Sequence, residues 1–372
     1  MNKIIISDAL NGLAGLAAES VSMCVTSPPY FGLRDYGTAI WQSGKPDCDH
    51  IISEIRTGLG LSDSPASVRG GGRKARLVNK LQAKGQCPKC GAIRIDRQIG
   101  IEETPEEYID NLTAVFREVH RVLRPDGTLW INIGDSYAGS GKGRNADRTH
   151  SCKNDDRQYT NKGATMGSLS KSPTQGGLKP KDLIGIPWLL AFALRTDGWY
   201  LRQDIIWHKP NAMPESVTDR CTKSHEYLFL LSKSKKYYFD YLEIQEAAIS
   251  INPQIRNRDK SRLNNTPGRS RMCGLTRGDY SMRRKRNVWT VPTLPYKEAH
   301  FATFPPDLIR PCILAGSRKN DIVLDPFMGS GTTAIVAIEE ERRYLGIELN
   351  PNYAAIAQRR IAQTYTQHSF FR

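Results

Sequence analysis

Long apolar runs are missing from this chain: none approaches the ~18 residues that a bilayer span needs. Its start, Asn2-Lys3 ahead of Ile4-Ile5-Ile6, is too short for a signal peptide, so a cytoplasmic protein with no membrane partner is expected. Acidic residues are scarce beside basic ones, 38 Asp and Glu to 53 Lys and Arg, a formal net charge of +15. That excess implies a polyanionic partner, nucleic acid ahead of an acidic membrane surface. Cysteine is sparse as well, and of the eight, Cys24, Cys152, Cys221, Cys273 and Cys312 stand alone, which argues against a secreted disulfide framework. No internal repeat is present. What remains is a chain of 372 residues, enough for an α/β domain of about 200–250 residues with one or two smaller modules.

Seven short β-branched runs read as strands: Lys3–Ile6, Val21–Thr26, Thr128–Ile133, Tyr200–Trp207, Tyr227–Ser232, Ile322–Leu324 and Tyr344–Ile347. Helical patterns lie between them. In Thr104 to Leu123, Thr104 and Glu107 form a capping box, Pro105 takes the first helical position, and Tyr108, Leu112, Val115, Phe116, Val119 and Leu123 share a face. Pro125-Asp126-Gly127 then turns the chain into a strand. The alternation predicts an α/β fold with a doubly wound, mostly parallel, seven-stranded sheet and ligands beyond the carboxyl ends of its strands. Three stretches break the rhythm. Residues 51–100 hold ten Lys and Arg against three acids, which marks 46–97 as a basic insertion; 138–180 is Gly, Ser, Lys and Asn and reads as a mobile loop; 251–290 carries eleven Lys and Arg against two acids and reads as a surface module over DNA.

The sharpest motif is Thr26-Ser27-Pro28-Pro29-Tyr30, at the end of the second strand. An amine conjugated to a base ring is a poor nucleophile, and acceptors for its hydrogens shift it toward a tetrahedral lone pair. The Ser27 hydroxyl and the Pro28 carbonyl suit that task, Pro29 stiffens the platform, and Tyr30 offers a face on which an extruded base can stack. A plain Pro-rich turn is the bland reading. A second motif, Asp325-Pro326-Phe327-Met328-Gly329-Ser330-Gly331-Thr332-Thr333, follows a strand and opens a helix, and Glu348 stands seventeen positions beyond Gly331 at the end of the next strand, where nucleotide-type sheets place a ribose-binding acid. A phosphate loop is excluded, because Gly-Lys-Ser/Thr is missing.

Together these motifs resemble the DNA amino-methyltransferases that modify N4 of cytosine or N6 of adenine, in the arrangement where the catalytic motif precedes the cofactor motif. The resemblance covers about 1–45, 98–240 and 291–372. It implies S-adenosyl-L-methionine as cofactor and double-stranded DNA as partner, with Ser27, Pro28, Pro29 and Tyr30 catalytic. By the same resemblance Asp325, Phe327, Gly329 and Gly331 hold the methionine part of the cofactor, Glu348 takes the ribose hydroxyls, Asp8 helps bind the adenine ring, and Pro326, Thr332 and Phe304, the last in the stretch ahead of the cofactor loop, are cofactor-binding as well. Residues 1–45 and 98–240 then form the catalytic half, 46–97 the insertion, 241–290 a target-recognition segment and 291–372 the cofactor half. Ser rather than Asp at position 27 favours cytosine-N4, with adenine-N6 as the alternative.

Cys48-Asp49-His50 and Cys87-Pro88-Lys89-Cys90-Gly91 offer Cys48, His50, Cys87 and Cys90 as a tetrahedral zinc set of structural kind, against a reading as ordinary reduced thiols. Pro311-Cys312 lies in an apolar helical run and reads as core, not as a nucleophile. Arg73, Lys74 and Arg76 in the insertion, and Arg283, Arg284, Lys285 and Arg286 near the end of the recognition segment, are expected on phosphates. The rival from another class is a zinc-bearing DNA-binding protein with an inactive methyltransferase fold. The oligomeric state stays open, a homodimer included.

Overall fold

The computed structural model describes residues 2–32, 36, 38–50, 87, 89–102, 104–138, 177–248, 282–294 and 303–370. Arg73, Lys74 and Arg76, with most of the insertion, the stretch 139–176 and the segment 251–281, lie outside these described residues. Elements run in the order β1 (Lys3–Ile6), α1 (Ala9–Ala14), β2 (Val21–Thr26), β3 (Ile40–Gln42), β4 (Ile93–Ile95), α2 (Pro105–Val122), β5 (Leu123–Ile133), α3 (Ile186–Thr196) and β6 (Tyr200–His208). There follow β7 (His225–Ser232), β8 (Glu246–Ala247), β9 (Met282–Arg283), β10 (Val288–Thr290), α4 (Pro306–Gly316), β11 (Ile322–Asp325), α5 (Thr332–Glu339), β12 (Arg343–Glu348) and α6 (Pro351–Phe370).

The main sheet has the order β1-β12-β11-β2-β5-β7-β6-β10, eight strands where seven were expected. All seven expected runs are in it. The eighth, β10, pairs in parallel with β6 and buries Trp289, so the end of the basic segment 251–290 belongs to the sheet and not to a surface module. Strand β7 alone runs antiparallel to its neighbours β5 and β6; the remaining pairings are parallel, as a doubly wound sheet requires. Strand β2 is buried at every position, the pattern of an interior strand covered on both faces. Pro125-Asp126-Gly127 is absorbed as an irregularity inside β5: its register with β2 jumps from Val21 opposite Leu123 to Met23 opposite Thr128.

Two cores flank the sheet. On one face α2 supplies Tyr108, Leu112, Val115, Phe116 and Val119, the stripe its spacing predicts; Thr104 caps it by accepting from the Glu107 amide at 3.2 Å, and Pro105 opens it. On the other face α4 supplies Leu308, Ile309, Cys312 and Ile313, so Cys312 is fully buried core. No helix among the described residues is long and apolar enough to cross a membrane.

Candidate functional site

Strands β2 and β11 are neighbours although some three hundred positions separate them in the chain, with Val323 opposite Met23 and Leu324 opposite Cys24. Their carboxyl ends therefore carry the two motifs side by side. The Thr26 hydroxyl donates to Asp325 Oδ1 at 2.6 Å, the Phe327 amide donates to the same oxygen at 3.0 Å, and the Thr333 hydroxyl donates to Oδ2 at 2.6 Å. Asp325 is thus a buried bracket that ties β2, the glycine-containing loop and α5 together. Burial lifts its carboxyl to about 6, against the pull of those three donors.

A cavity opens over this junction, lined by Ser27–Tyr30 from one motif and by Pro326–Ser330, Thr332 and Glu348 from the other half, with Asp8 and Phe304 also in its lining. Asp325 and Gly331 are not among its lining residues. Gly331 has φ near +85°, and a Cβ there would lie 2.8 Å from that of Ala357, so glycine serves the packing of α6 at this position. Glu348 is nearly buried: Oε2 accepts from the Gly329 amide at 2.7 Å and Oε1 from the Asn350 amide at 2.8 Å. Burial raises its carboxyl above the ordinary glutamate value, partly offset by those amides. Asp8 caps α1 by accepting from the Asn11 amide at 2.9 Å and is paired with Arg97 at 3.1 Å. Its desolvation is outweighed by these partners, and its carboxyl sits below the usual aspartate value.

On the catalytic side the Tyr108 hydroxyl donates to the Pro29 carbonyl at 2.8 Å, anchoring the Pro-Pro segment to α2. The Tyr30 hydroxyl donates to Glu226 Oε2 at 2.7 Å and lies 3.3 Å from Asn132 Oδ1; Ser27 hydrogen-bonds it as well. Glu226, at the start of β7, is ion-paired with Lys209, whose ammonium also sits 4.2 Å from the centre of the Trp207 ring. Burial, and then the Glu226 charge, hold the Tyr30 phenol well above its usual range, so it remains a neutral donor. Glu226, Asn132 and Lys209 received no role from the sequence. The available signals were an acid at the head of the apolar run Tyr227–Ser232 and the run Trp207-His208-Lys209-Pro210, both within the stretch that the resemblance covers.

The zinc set comes together: the ligand atoms of Cys48, His50, Cys87 and Cys90 lie within 4.8 Å of one another. The basic run has partners within the fold. Arg283 and Arg286 both pair with Glu246, Arg284 lies over the Tyr241 ring and Lys285 over the Trp289 ring, so part of this charge is engaged within the fold.

A family model for DNA methylases of the N6/N4 type matches residues 21–359. The type II methyltransferase M.SmaI of Serratia marcescens is 42% identical over 96% of this chain and 90% of its own length. M.Cfr9I of Citrobacter freundii is 41% identical over 95% and 85%. Among solved structures, the PvuII DNA methyltransferase, described as cytosine-N4-specific, aligns with a TM-score of 0.53 at 16% identity, covering 99% of this chain and 92% of its own. A DNA modification methylase of Thermus thermophilus, solved with S-adenosyl-L-methionine, aligns with a TM-score of 0.50 at 21% identity, covering 98% and 94%. These two likenesses show the Rossmann-like fold of the methyltransferases. The family match, across nearly the whole length and over both motifs at the one cavity, makes the conclusion plain: the chain belongs to the N6/N4 family of DNA amino-methyltransferases.

Proposed function

We propose that the chain transfers the methyl group of S-adenosyl-L-methionine to the exocyclic N4 amine of a cytosine flipped out of double-stranded DNA, as the modification half of a restriction–modification pair. The observation that carries this is the shared cavity, where Ser27–Tyr30 face the loop Pro326–Ser330 and Glu348. The residues present fit the cofactor: a nearly buried carboxylate for two ribose hydroxyls, apolar Phe304 beside the charged Asp8 for the adenosyl group, and the loop Pro326–Ser330 for the methionine part. When bound, S-adenosyl-L-methionine supplies a methyl group on a sulfonium.

The chain's own residues then act on the base. Tyr30, held through its hydroxyl by Glu226 and Asn132, keeps its ring in place for stacking. The Ser27 hydroxyl and the Pro28 carbonyl accept the two amine hydrogens; the Pro29 carbonyl is already taken by Tyr108. Once methylated, the amine would be cationic and would pass its spare proton to solvent, so no strong base is required of the chain. Ser27 in place of Asp supports cytosine-N4 over adenine-N6. The test is mass spectrometry of nucleosides from DNA incubated with protein and cofactor. N4-methylcytosine is expected; N6-methyladenine would transfer the assignment to adenine, and cofactor binding without product on any DNA would favour a DNA-binding protein with an inactive fold.

A further inference from the structure

We propose that Cys48, His50, Cys87 and Cys90 hold one zinc ion, and that this ion clasps a β-ribbon whose other end forms a wall of the cofactor cavity. Two pairs of the ligand atoms have the separations of a tetrahedral site, and all four lie within 4.8 Å of one another. Zinc–sulfur bonds of about 2.3 Å at tetrahedral angles put two thiolates about 3.8 Å apart, and a sulfur and an imidazole nitrogen about 3.6 Å apart. The Cys48 and Cys87 sulfurs are 3.9 Å apart, and Cys90 Sγ lies 3.3 Å from His50 Nδ1. A disulfide would need about 2.05 Å.

The surroundings are those of a built ligand set. The Cys87 carbonyl accepts from the Gly91 amide at 2.8 Å and the Cys87 amide donates to the Ala92 carbonyl at 2.6 Å, a tight knuckle closed by Gly91 at φ near +76°. The Lys45 and Ala92 amides both point hydrogen bonds at the Cys90 sulfur, as amides do toward a metal-bound thiolate. Gly44 has φ near +87°, and a Cβ on it would sit 2.9 Å from Cys90 Sγ, so glycine is needed for the first loop to close on the second. Trp41 of β3 packs its ring 5.0 Å from that of His50.

The ligands bracket the outer end of the ribbon in which β3 pairs with β4, Ile40 opposite Ile95 and Gln42 opposite Ile93. At the inner end Thr38 donates to Asp96 at 3.1 Å, the Tyr36 amide donates to Gln98 Oε1 at 2.7 Å, and Arg97 reaches Asp8. Tyr36, Thr38, Arg97 and Gln98 line the cavity. Two strands of three residues bury little by themselves and are marginal alone. A metal crosslink at the outer end therefore sets how often the inner end is in register against Asp8. The second half of the proposal rests on reading the cavity as the cofactor site; the first does not.

The experiment uses the full chain with three variants: Cys87→Ser with Cys90→Ser, His50→Ala, and His50→Cys, which keeps four ligands. Zinc is read by elemental analysis and S-adenosyl-L-methionine affinity by calorimetry. About one zinc per chain is expected in wild type and His50→Cys, and little in the other two, with the visible bands of a tetrahedral thiolate site after exchange to Co(II). If loss of metal leaves the wall ordered in about one molecule in ten, the dissociation constant rises about tenfold in the zinc-free variants and stays near wild type in His50→Cys. Should the cysteine double variant not fold, the two His50 variants carry the comparison. Wild type purified without chelator and free of zinc, or bearing iron instead, overturns the metal assignment. Zinc-free protein with wild-type affinity overturns the clasp, whereas a zinc-loaded wild type that fails to bind the cofactor overturns the reading of the cavity and leaves the metal site standing.

Discussion

At the scale of single residues, the division of labour at the cavity is testable because the two sides act on different partners. In the proposed mechanism Ser27→Ala removes an acceptor for the amine and Tyr30→Ala removes the stacking face, whereas the cofactor lies with the loop Pro326–Ser330. Each is expected to cut turnover by about 2–4 kcal/mol of transition-state stabilisation, the size found when one oriented hydrogen-bonding group is deleted, while cofactor affinity by calorimetry stays nearly unchanged. Near-normal turnover in either variant would remove these residues from catalysis. Glu348 gives a test on the other side. Its carboxyl is raised by burial, and in its proposed role the ionised form accepts from the ribose hydroxyls. Affinity for S-adenosyl-L-methionine should therefore be full at neutral pH and weaken on acidification, starting at a higher pH than an ordinary glutamate would allow. Glu348→Gln should bind more weakly and lack that step on acidification; a step that persists in it would assign the titration to another group.

At the scale of elements, Asp325 belongs to the junction of strands. The sequence places an acid after a strand and before a glycine-containing loop, and by resemblance that acid reads as a cofactor ligand. Its actual donors are Thr26, Thr333 and the Phe327 amide, of which Thr26 lies 299 positions away. No local pattern reveals such a partner. Asp325→Ala should leave those donors without an acceptor and destabilise the protein by about 3 kcal/mol or more in urea unfolding, with loss of cofactor affinity following from a loosened loop. Asp325→Asn isolates the charge. With the folded carboxyl at about 6 and the unfolded one at 3.8, the contribution of this group is fully present below the unfolded value and is lost as pH rises through 6, about 3 kcal/mol in all. Wild type should therefore lose stability relative to Asp325→Asn between pH 4 and about 6, and a flat difference would show that burial does not govern this carboxyl. The same contrast explains what was legible elsewhere. Strands such as Val21–Thr26 and helix Pro105–Val122 carry their period and caps within themselves. Strand β10 does not: Val288-Trp289-Thr290 is three residues beside a run of four basic ones, and only pairing with β6 makes it a strand. Of the cavity lining, Ser27–Tyr30 and Glu348 could be picked out from their motifs, whereas the contacts of Glu226, Lys209 and Arg97 arise only when distant segments assemble.

At the scale of the whole molecule, a net charge of +15 has to be reconciled with a cavity whose lining is mainly apolar and whose carboxylates face inward. The excess positive charge acts outside the cavity, on a duplex that carries one negative charge per ~1.7 Å, and the sheet ends have few groups to spare for reading neighbouring base pairs. Their compositions suggest that two kinds of basic segment would divide that work. The stretch with Arg73, Lys74 and Arg76 is rich in Gly, Lys and Arg and poor in amides, a composition for phosphates; 251–281 mixes Arg with Asn252, Gln254, Asn257, Asn264 and Asn265, side chains that pair two-fold with purine edges. Neutralising Arg73, Lys74 and Arg76 together should weaken binding to all DNA alike and lower the slope of log affinity against log salt by up to about 3, roughly 0.9 for each phosphate no longer neutralised. Exchange of 251–281 should instead change which sequence carries the methylated base, read by sequencing of modified sites, with the salt slope altered only by the charge exchanged. The outcome that would reverse the assignment is a changed target after the triple neutralisation together with an unchanged one after the exchange. Arg283 and Arg286 serve as an internal control, because both are already paired with Glu246 and their removal should cost fewer released counterions than the removal of two unengaged arginines.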